Sequence, residues 1–189
     1  MKTHSLAAVL MLSLLLAAPL AARPAKVTDP DAPRSLPVSG PVSVSWSDPS
    51  GFTELRYSRN RWEAERGNWV VQLAEYLRKG VAKALPAGER VEFNITDIKR
   101  AGDYEPWHGS NLQDVRVVRD IYPPRITFTY TRYAADGQVI DQGDRKLVDM
   151  GFLFAGGNAF NSDPLRHEKR MLDDWIRSEL KDGREIGMR

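Results

Sequence analysis

Apolar and polar side chains alternate along several stretches of the chain, and this period of two predicts half-buried strands. The alternation covers residues 42–46 and 91–95, where valine, phenylalanine, isoleucine and tryptophan are separated by polar residues. Residues 125–133 give the strongest strand signal, because most of them are β-branched or aromatic. Residues 115–118 could add a short strand.

A hairpin follows the strongest strand. Asp136 and Gly137 form a dipeptide that is typical of a tight turn between two antiparallel strands. The returning strand is predicted over residues 138–148, with a bulge at Gly143. The glycine-rich residues 151–161 are predicted to form a loop.

Two stretches instead repeat their apolar residues every three or four positions, as amphipathic helices do. The first covers residues 61–85, but Gly67 and Gly80 weaken this helix, so it is expected to begin late, near Asn68. The second covers about 164–181 and begins after Asp163, a good N-cap. Residues 52–60 are predicted to be a loop. The order of elements predicts an α+β fold, with an antiparallel sheet of about four to five strands and two helices packed on one face.

The N-terminal residues have the pattern of a secretory signal peptide. Lys2 supplies a positive charge, residues 6–16 are apolar, and small residues follow up to Ala22. The apolar run is too short to span a bilayer, which takes ~20 residues. We therefore expect cleavage after Ala22, a periplasmic protein, and no stable membrane anchor after cleavage. An uncleaved N-terminal anchor is the alternative.

The rest of the chain divides into three parts. Residues 23–41 contain five prolines and few large apolar side chains, which predicts an extended tether. Residues 42–181 are predicted to form a single domain, and residues 182–189 a flexible tail.

Composition excludes several classes of protein. The chain has no cysteine, so it can form no disulfide, thiolate zinc site, cysteine nucleophile or iron–sulfur cluster. A net charge of +2 gives no long-range attraction to nucleic acid, so we do not expect nucleic acid as a partner. A hydrophobic content of 42% is too high for a disordered chain.

Several short motifs between residues 42 and 180 together point to a known family. The most specific is Tyr122-Pro123-Pro124-Arg125-Ile126. The others are Trp46-Ser47-Asp48-Pro49, Thr96-Asp97-Ile98, Asp114-Val115-Arg116-Val117 and the stretch from His167 to Trp175. With these motifs the chain resembles DUF3016, a bacterial family of exported proteins of unknown function. The resemblance implies a bacterial origin and a periplasmic setting, and it implies no activity or cofactor.

The strongest candidate for function is the loop over residues 103–110. It combines carboxylates, a histidine and a hydroxyl with two aromatic residues, and loops on a rigid scaffold often carry binding sites. Tyr104, Trp107 and His108 are the candidate binding residues, although the loop could simply fold over the sheet with Trp107 as its plug. His108 as general base and Ser110 as nucleophile would make a hydrolase, but no third orienting group is identifiable.

The apolar loop over residues 151–160 is the second candidate. Its residues Phe152, Phe154 and Phe160 either fold inward, which is the favoured interpretation, or leave an apolar patch for a partner. The loop has no Walker motif for phosphate. His167 is interpreted as a solvated helix residue, and no metal or cofactor is expected.

Three functions remain open, in this order. The first is a non-enzymatic interaction or structural role in the cell envelope, with an envelope protein as the possible partner. The second is small-ligand binding in a pocket between sheet and helices that the 103–110 loop gates. The third is a hydrolase centred on His108 and Ser110.

Overall fold

The structure of the chain is a computed structural model that describes residues 25–109, 111–154 and 161–182. Short turns of 3₁₀ helix lie at Pro49–Gly51 and Pro106–His108, and a π-helical turn lies at Arg177–Asp182. The other elements, in chain order, are β1 (Val42–Trp46), α1 (Thr53–Arg56), α2 (Arg61–Glu65), α3 (Trp69–Ala84), β2 (Arg90–Lys99), β3 (Asp103–Tyr104), β4 (Arg116–Val117), β5 (Arg125–Tyr133), β6 (Val139–Val148) and α4 (Arg166–Ile176).

The main sheet has four strands in the order β1-β2-β5-β6, and β3 and β4 form a separate two-stranded sheet. The predicted α+β class is confirmed, and the sheet is mostly antiparallel. One pair differs from the prediction, because β1 runs parallel to β2. The chain crosses from β1 to β2 through α3, and such a crossover returns the second strand in the same direction as the first.

The inner face of the sheet packs against α3 and α4. Trp175 of α4 lies edge-on to Phe93 and Phe128, with ring centroids 5.9 and 4.9 Å apart. Gly80 of α3 lets the helices approach closely, since a Cβ there would lie 2.6 Å from Ile176 Cδ1. Among the described residues, the cavity beside Trp175 measures only about 10 Å³. Aromatic side chains fill this part of the space between sheet and helices.

Residues 25–41 pack on the domain, so the prediction of an extended tether is wrong for them. The side chains of Val27 and Leu36 are buried. Leu36 N donates to Val44 O over 2.9 Å, and Trp46 N donates to Arg34 O over 2.8 Å. The segment thus supplies partners for the backbone of β1, which would otherwise be a bare edge of the sheet. Residues 23 and 24 lie outside the described residues, as does the predicted signal peptide.

Other element boundaries also differ from the predictions. The stretch 52–60 holds a turn of helix, α1, where a loop was expected. The start of the first long helix, by contrast, agrees with the prediction near Asn68, since α3 begins at Trp69 and Gly67, with φ +86°, separates it from α2. The irregular pairing between β5 and β6 lies at Arg132 and Tyr133, whereas Gly143 pairs in register. No helix in the described part of the chain is long and apolar enough to cross a membrane.

Candidate functional site

A buried carboxylate lies at the centre of the most highly charged part of the interior. Helix α1 places Glu54 where its side chain is fully buried, in contact with three cations. Arg116 donates to both carboxylate oxygens, over 2.8 and 2.9 Å. Arg100 donates through its guanidinium over 2.9 Å and through its backbone N–H over 3.0 Å, and Lys99 Nζ lies 3.3 Å away. One short helix, the end of β2 and strand β4 are thereby joined at a single residue.

The cations determine the charge of this carboxylate. Burial alone would raise the pKa of Glu54, but the nearby charges of Arg116, Arg100 and Lys99 outweigh it and lower the pKa from 4.5 to about 2. Burial also lowers the pKa of Lys99, against the opposing effect of Glu54. Glu54 is therefore a structural anion at neutral pH.

A second buried carboxylate holds the same part of the backbone from the opposite side. Glu168 of α4 accepts a hydrogen bond from the backbone N–H of Ala101. Its other oxygen, Oε2, has no hydrogen-bond partner among the described residues. Burial raises the pKa of the Glu168 carboxyl group. The carbonyl of Gly102 accepts from Lys99 and Arg116. These bonds fix the point at which the chain leaves the sheet after β2.

Residues 103–109 and 111–124 leave the main sheet there, and we call this part of the chain between β2 and β5 the lobe. Strands β3 and β4 pair antiparallel at its base. Above them, the buried carboxylate of Glu105 contacts Arg119 Nη2 at 2.9 Å, the Tyr122 hydroxyl at 2.9 Å and His108 Nε2 at 3.0 Å. Because these partners lie on both arms of the lobe, Glu105 holds the arms together.

The outer side of the lobe carries exposed aromatic and apolar side chains around one arginine. The guanidinium of Arg59 lies 5.0 Å from the centroid of the Trp107 ring and 5.8 Å from that of Tyr122, within the range of cation–π contacts. Arg59 also pairs with Asp103 over 3.1 Å. Trp107 is 58% exposed, and Tyr57 and Ile121 are each 64% exposed. We call the following residues the aromatic–arginine surface: Tyr57, Arg59, Trp107, Ile121 and Tyr122.

The residues predicted in the 103–110 loop have different roles from those expected. Tyr104 is buried beneath the Arg116 guanidinium, so it belongs to the base of the lobe. Trp107 is exposed, so the interpretation as a plug is wrong, because Arg59 holds its ring at the surface. His108 is half-exposed and faces Glu105. Ser110 lies outside the described residues.

The phenylalanines of the second candidate loop lie in different environments. Phe152 is buried, with its ring edge-on to His167 at 4.9 Å, as the inward interpretation expects. Phe154 is 83% exposed, and Phe160 lies outside the described residues. The interpretation of His167 as a solvated residue is wrong, since its side chain is buried and burial lowers its pKa.

Sequence reasoning missed the two buried carboxylates. Glu54 lies in the stretch 52–60, which was predicted to be a loop, and nothing in the local sequence distinguishes it from the other charged residues there. A signal was present at Glu168, which falls on the apolar stripe of the last helix. No cluster of three or more histidine, aspartate or glutamate residues suited to a metal occurs in the parts of the chain that the structure describes.

The fold and the site define an α+β domain in which the ion pairs of Glu54 join α1 and the end of β2 to strand β4 of the lobe. The family model described as protein of unknown function, DUF3016, matches residues 40–178. The chain belongs to the DUF3016 family. No curated protein and no solved structure matches it.

Proposed function

We propose that this chain is a non-enzymatic interaction protein of the cell envelope, which binds a protein partner through the aromatic–arginine surface. The observation that carries the proposal is the exposure of Trp107, which lies against Arg59, together with the exposure of Tyr57 and Ile121, which line a groove with Tyr122. Export rests on the signal-peptide pattern of residues 1–22.

The composition of this surface is that of a binding hot spot. Tryptophan, tyrosine and arginine are enriched among the few residues that contribute most of the energy of protein interfaces. Exposed apolar side chains continue along the lobe at Leu112, Val115 and Val118. A monomer gains nothing in solution from such a patch, and a partner would remove it from water.

The lobe is also pre-organised for binding. The buried carboxylates of Glu54 and Glu105 join its base and its two arms through ion pairs with Arg116 and Arg119. A partner would therefore lose little free energy to ordering the surface when it binds.

The two alternative functions have less support. For small-ligand binding between sheet and helices, the cavity beside Trp175 is too small to hold a ligand, since it measures about 10 Å³. For a hydrolase, the pair of His108 and Glu105 at 3.0 Å supplies an imidazole and a carboxylate, while the proposed nucleophile Ser110 lies outside the described residues.

Site-specific photo-crosslinking tests the proposal. A benzoylphenylalanine at position 107 or 121 should give a discrete protein adduct in the native cells. Matched controls are Glu92 and Thr129, which are exposed residues of β2 and β5 away from the lobe. Adducts at the lobe positions alone support the proposal. No adduct there, or the same adducts at all four positions, would contradict it.

A further inference from the structure

A groove of about 310 Å³ runs beside the aromatic–arginine surface. Its apolar walls come from Tyr57, Ile121, Tyr122 and Pro123. This volume lies at the lower end of the range for ligand pockets, ~300–1,000 Å³, so it suits a few side chains rather than a folded domain. The groove opens where α1 meets the end of the lobe.

The charge around the groove is positive. Lys99 and Arg125 are among its lining residues, and no carboxylate is. Asp97 lies nearby, but both of its oxygens accept hydrogen bonds from Thr53. Asp120 accepts a hydrogen bond from the backbone of Ile121.

The two lining cations differ in what they contact. Lys99 Nζ faces inward and donates to Glu54 and to the carbonyls of Arg100 and Gly102. Arg125 is exposed at the start of β5, and its guanidinium makes no hydrogen bond or ion pair with any described residue. A planar guanidinium in this state can bind a carboxylate through two parallel hydrogen bonds.

We propose that the groove binds an acidic, extended segment of the protein partner. One carboxylate of that segment pairs with Arg125, and a neighbouring apolar side chain packs against Tyr57 and Ile121. The inference rests on the proposed function, because it gives the chemistry of the partner at the same surface. Arg56 and Arg59, which lie over the rings of Tyr57 and Tyr122, add to the positive field that such a segment would meet.

Fluorescence anisotropy with the mature protein tests the inference. The probe is a fluorescein-labelled octapeptide of alternating glutamate and leucine, and its counterpart carries lysine in place of glutamate. We expect the acidic peptide to bind the wild type more tightly than the basic one. Arg125→Glu should weaken binding of the acidic peptide about tenfold and reverse the preference between the two peptides.

The matched control is Lys79→Glu, which makes the same change of charge on an exposed residue of α3. It should change binding less than about twofold, because screening limits the reach of a distant charge. Equal losses in both variants, or no preference of the wild type for the acidic peptide, would overturn the inference. Circular dichroism confirms that each variant is folded.

The results also separate this inference from the proposed function. Adducts at position 107 together with peptide binding that ignores Arg125 would overturn the groove assignment alone. Peptide binding that depends on Arg125, without adducts at position 107, would contradict the proposed surface for the native partner.

Discussion

At the scale of single residues, two buried glutamates hold the same turn of backbone in different electrostatic states. Glu54 faces Lys99, Arg100 and Arg116, and its pKa is lowered to about 2. Glu168 has one oxygen without a hydrogen-bond partner among the described residues, and burial raises its pKa. Their contributions to stability should therefore change with pH in opposite directions.

Replacing the carboxylate of Glu54 should destabilise the folded protein. Glu54→Gln leaves three buried cations without their anion, and we expect it to lower the free energy of unfolding by about 3–5 kcal/mol at neutral pH. The control is Glu92→Gln, because Glu92 pairs with Arg90 at an exposed site. Such surface pairs contribute only about 0–1 kcal/mol. Urea denaturation measures both, and equal effects would contradict the role given to Glu54.

The same variant carries a prediction about pH. The pKa of Glu54 is lower in the folded state than in the unfolded state. The ionised carboxylate therefore makes its full contribution to the free energy of unfolding above about pH 4.5, and this contribution is lost as the pH falls toward about 2. The shift corresponds to roughly 3 kcal/mol. The difference in stability between wild type and Glu54→Gln should shrink over this interval. A difference that stays constant would show that the ionised carboxylate is not its source.

Glu168→Gln should have the opposite dependence. Because the folded state raises the pKa of Glu168, the wild type loses stability as the pH rises from about 4.5 through that raised pKa. Glutamine keeps an oxygen that can accept from Ala101 and carries no charge. Relative to the wild type, this variant should therefore be more stable at about pH 8 than at about pH 5. Denaturation at both pH values checks the sign, and a fall instead of a rise would contradict it.

At the scale of elements, the lobe depends on one close approach of the backbone. Gly102 has φ +80°, and a Cβ there would lie 2.6 Å from the carbonyl oxygen of Val117. We expect Gly102→Ala to cost at least about 2 kcal/mol and to make residues 103–124 sensitive to protease. The control is Gly137→Ala, with φ +85° and no atom within 4 Å of the added Cβ. It should cost only about 1 kcal/mol.

The regular elements could be predicted from local patterns, and the lobe could not. Alternation identified β1 and β2, and the Asp136-Gly137 turn identified the hairpin, because these signals lie within a few residues. The cluster around Glu54 joins residues 62 positions apart in the chain, such as Glu54 and Arg116. No local pattern carries that information. The packing of residues 25–41 was missed for a similar reason, because the four prolines in this range indicated an extended segment although Val27 and Leu36 are buried.

At the scale of the whole molecule, the proposed export of the chain depends on the signal-peptide pattern of residues 1–22. If the signal-peptide interpretation is right, the protein isolated from its native envelope begins at Arg23. The intact mass measures this directly. A mass that includes residues 1–22 would contradict cleavage and favour the uncleaved N-terminal anchor.

The function proposed for this chain is the binding of a protein partner at the aromatic–arginine surface. Native mass spectrometry of the protein purified gently from its native envelope tests it most directly, with the double variant Trp107→Ala and Ile121→Asp prepared in parallel. The account predicts a second polypeptide bound to the wild type and a bare, folded monomer for the variant. A bare monomer in both preparations, or a partner that the variant retains, would contradict the account.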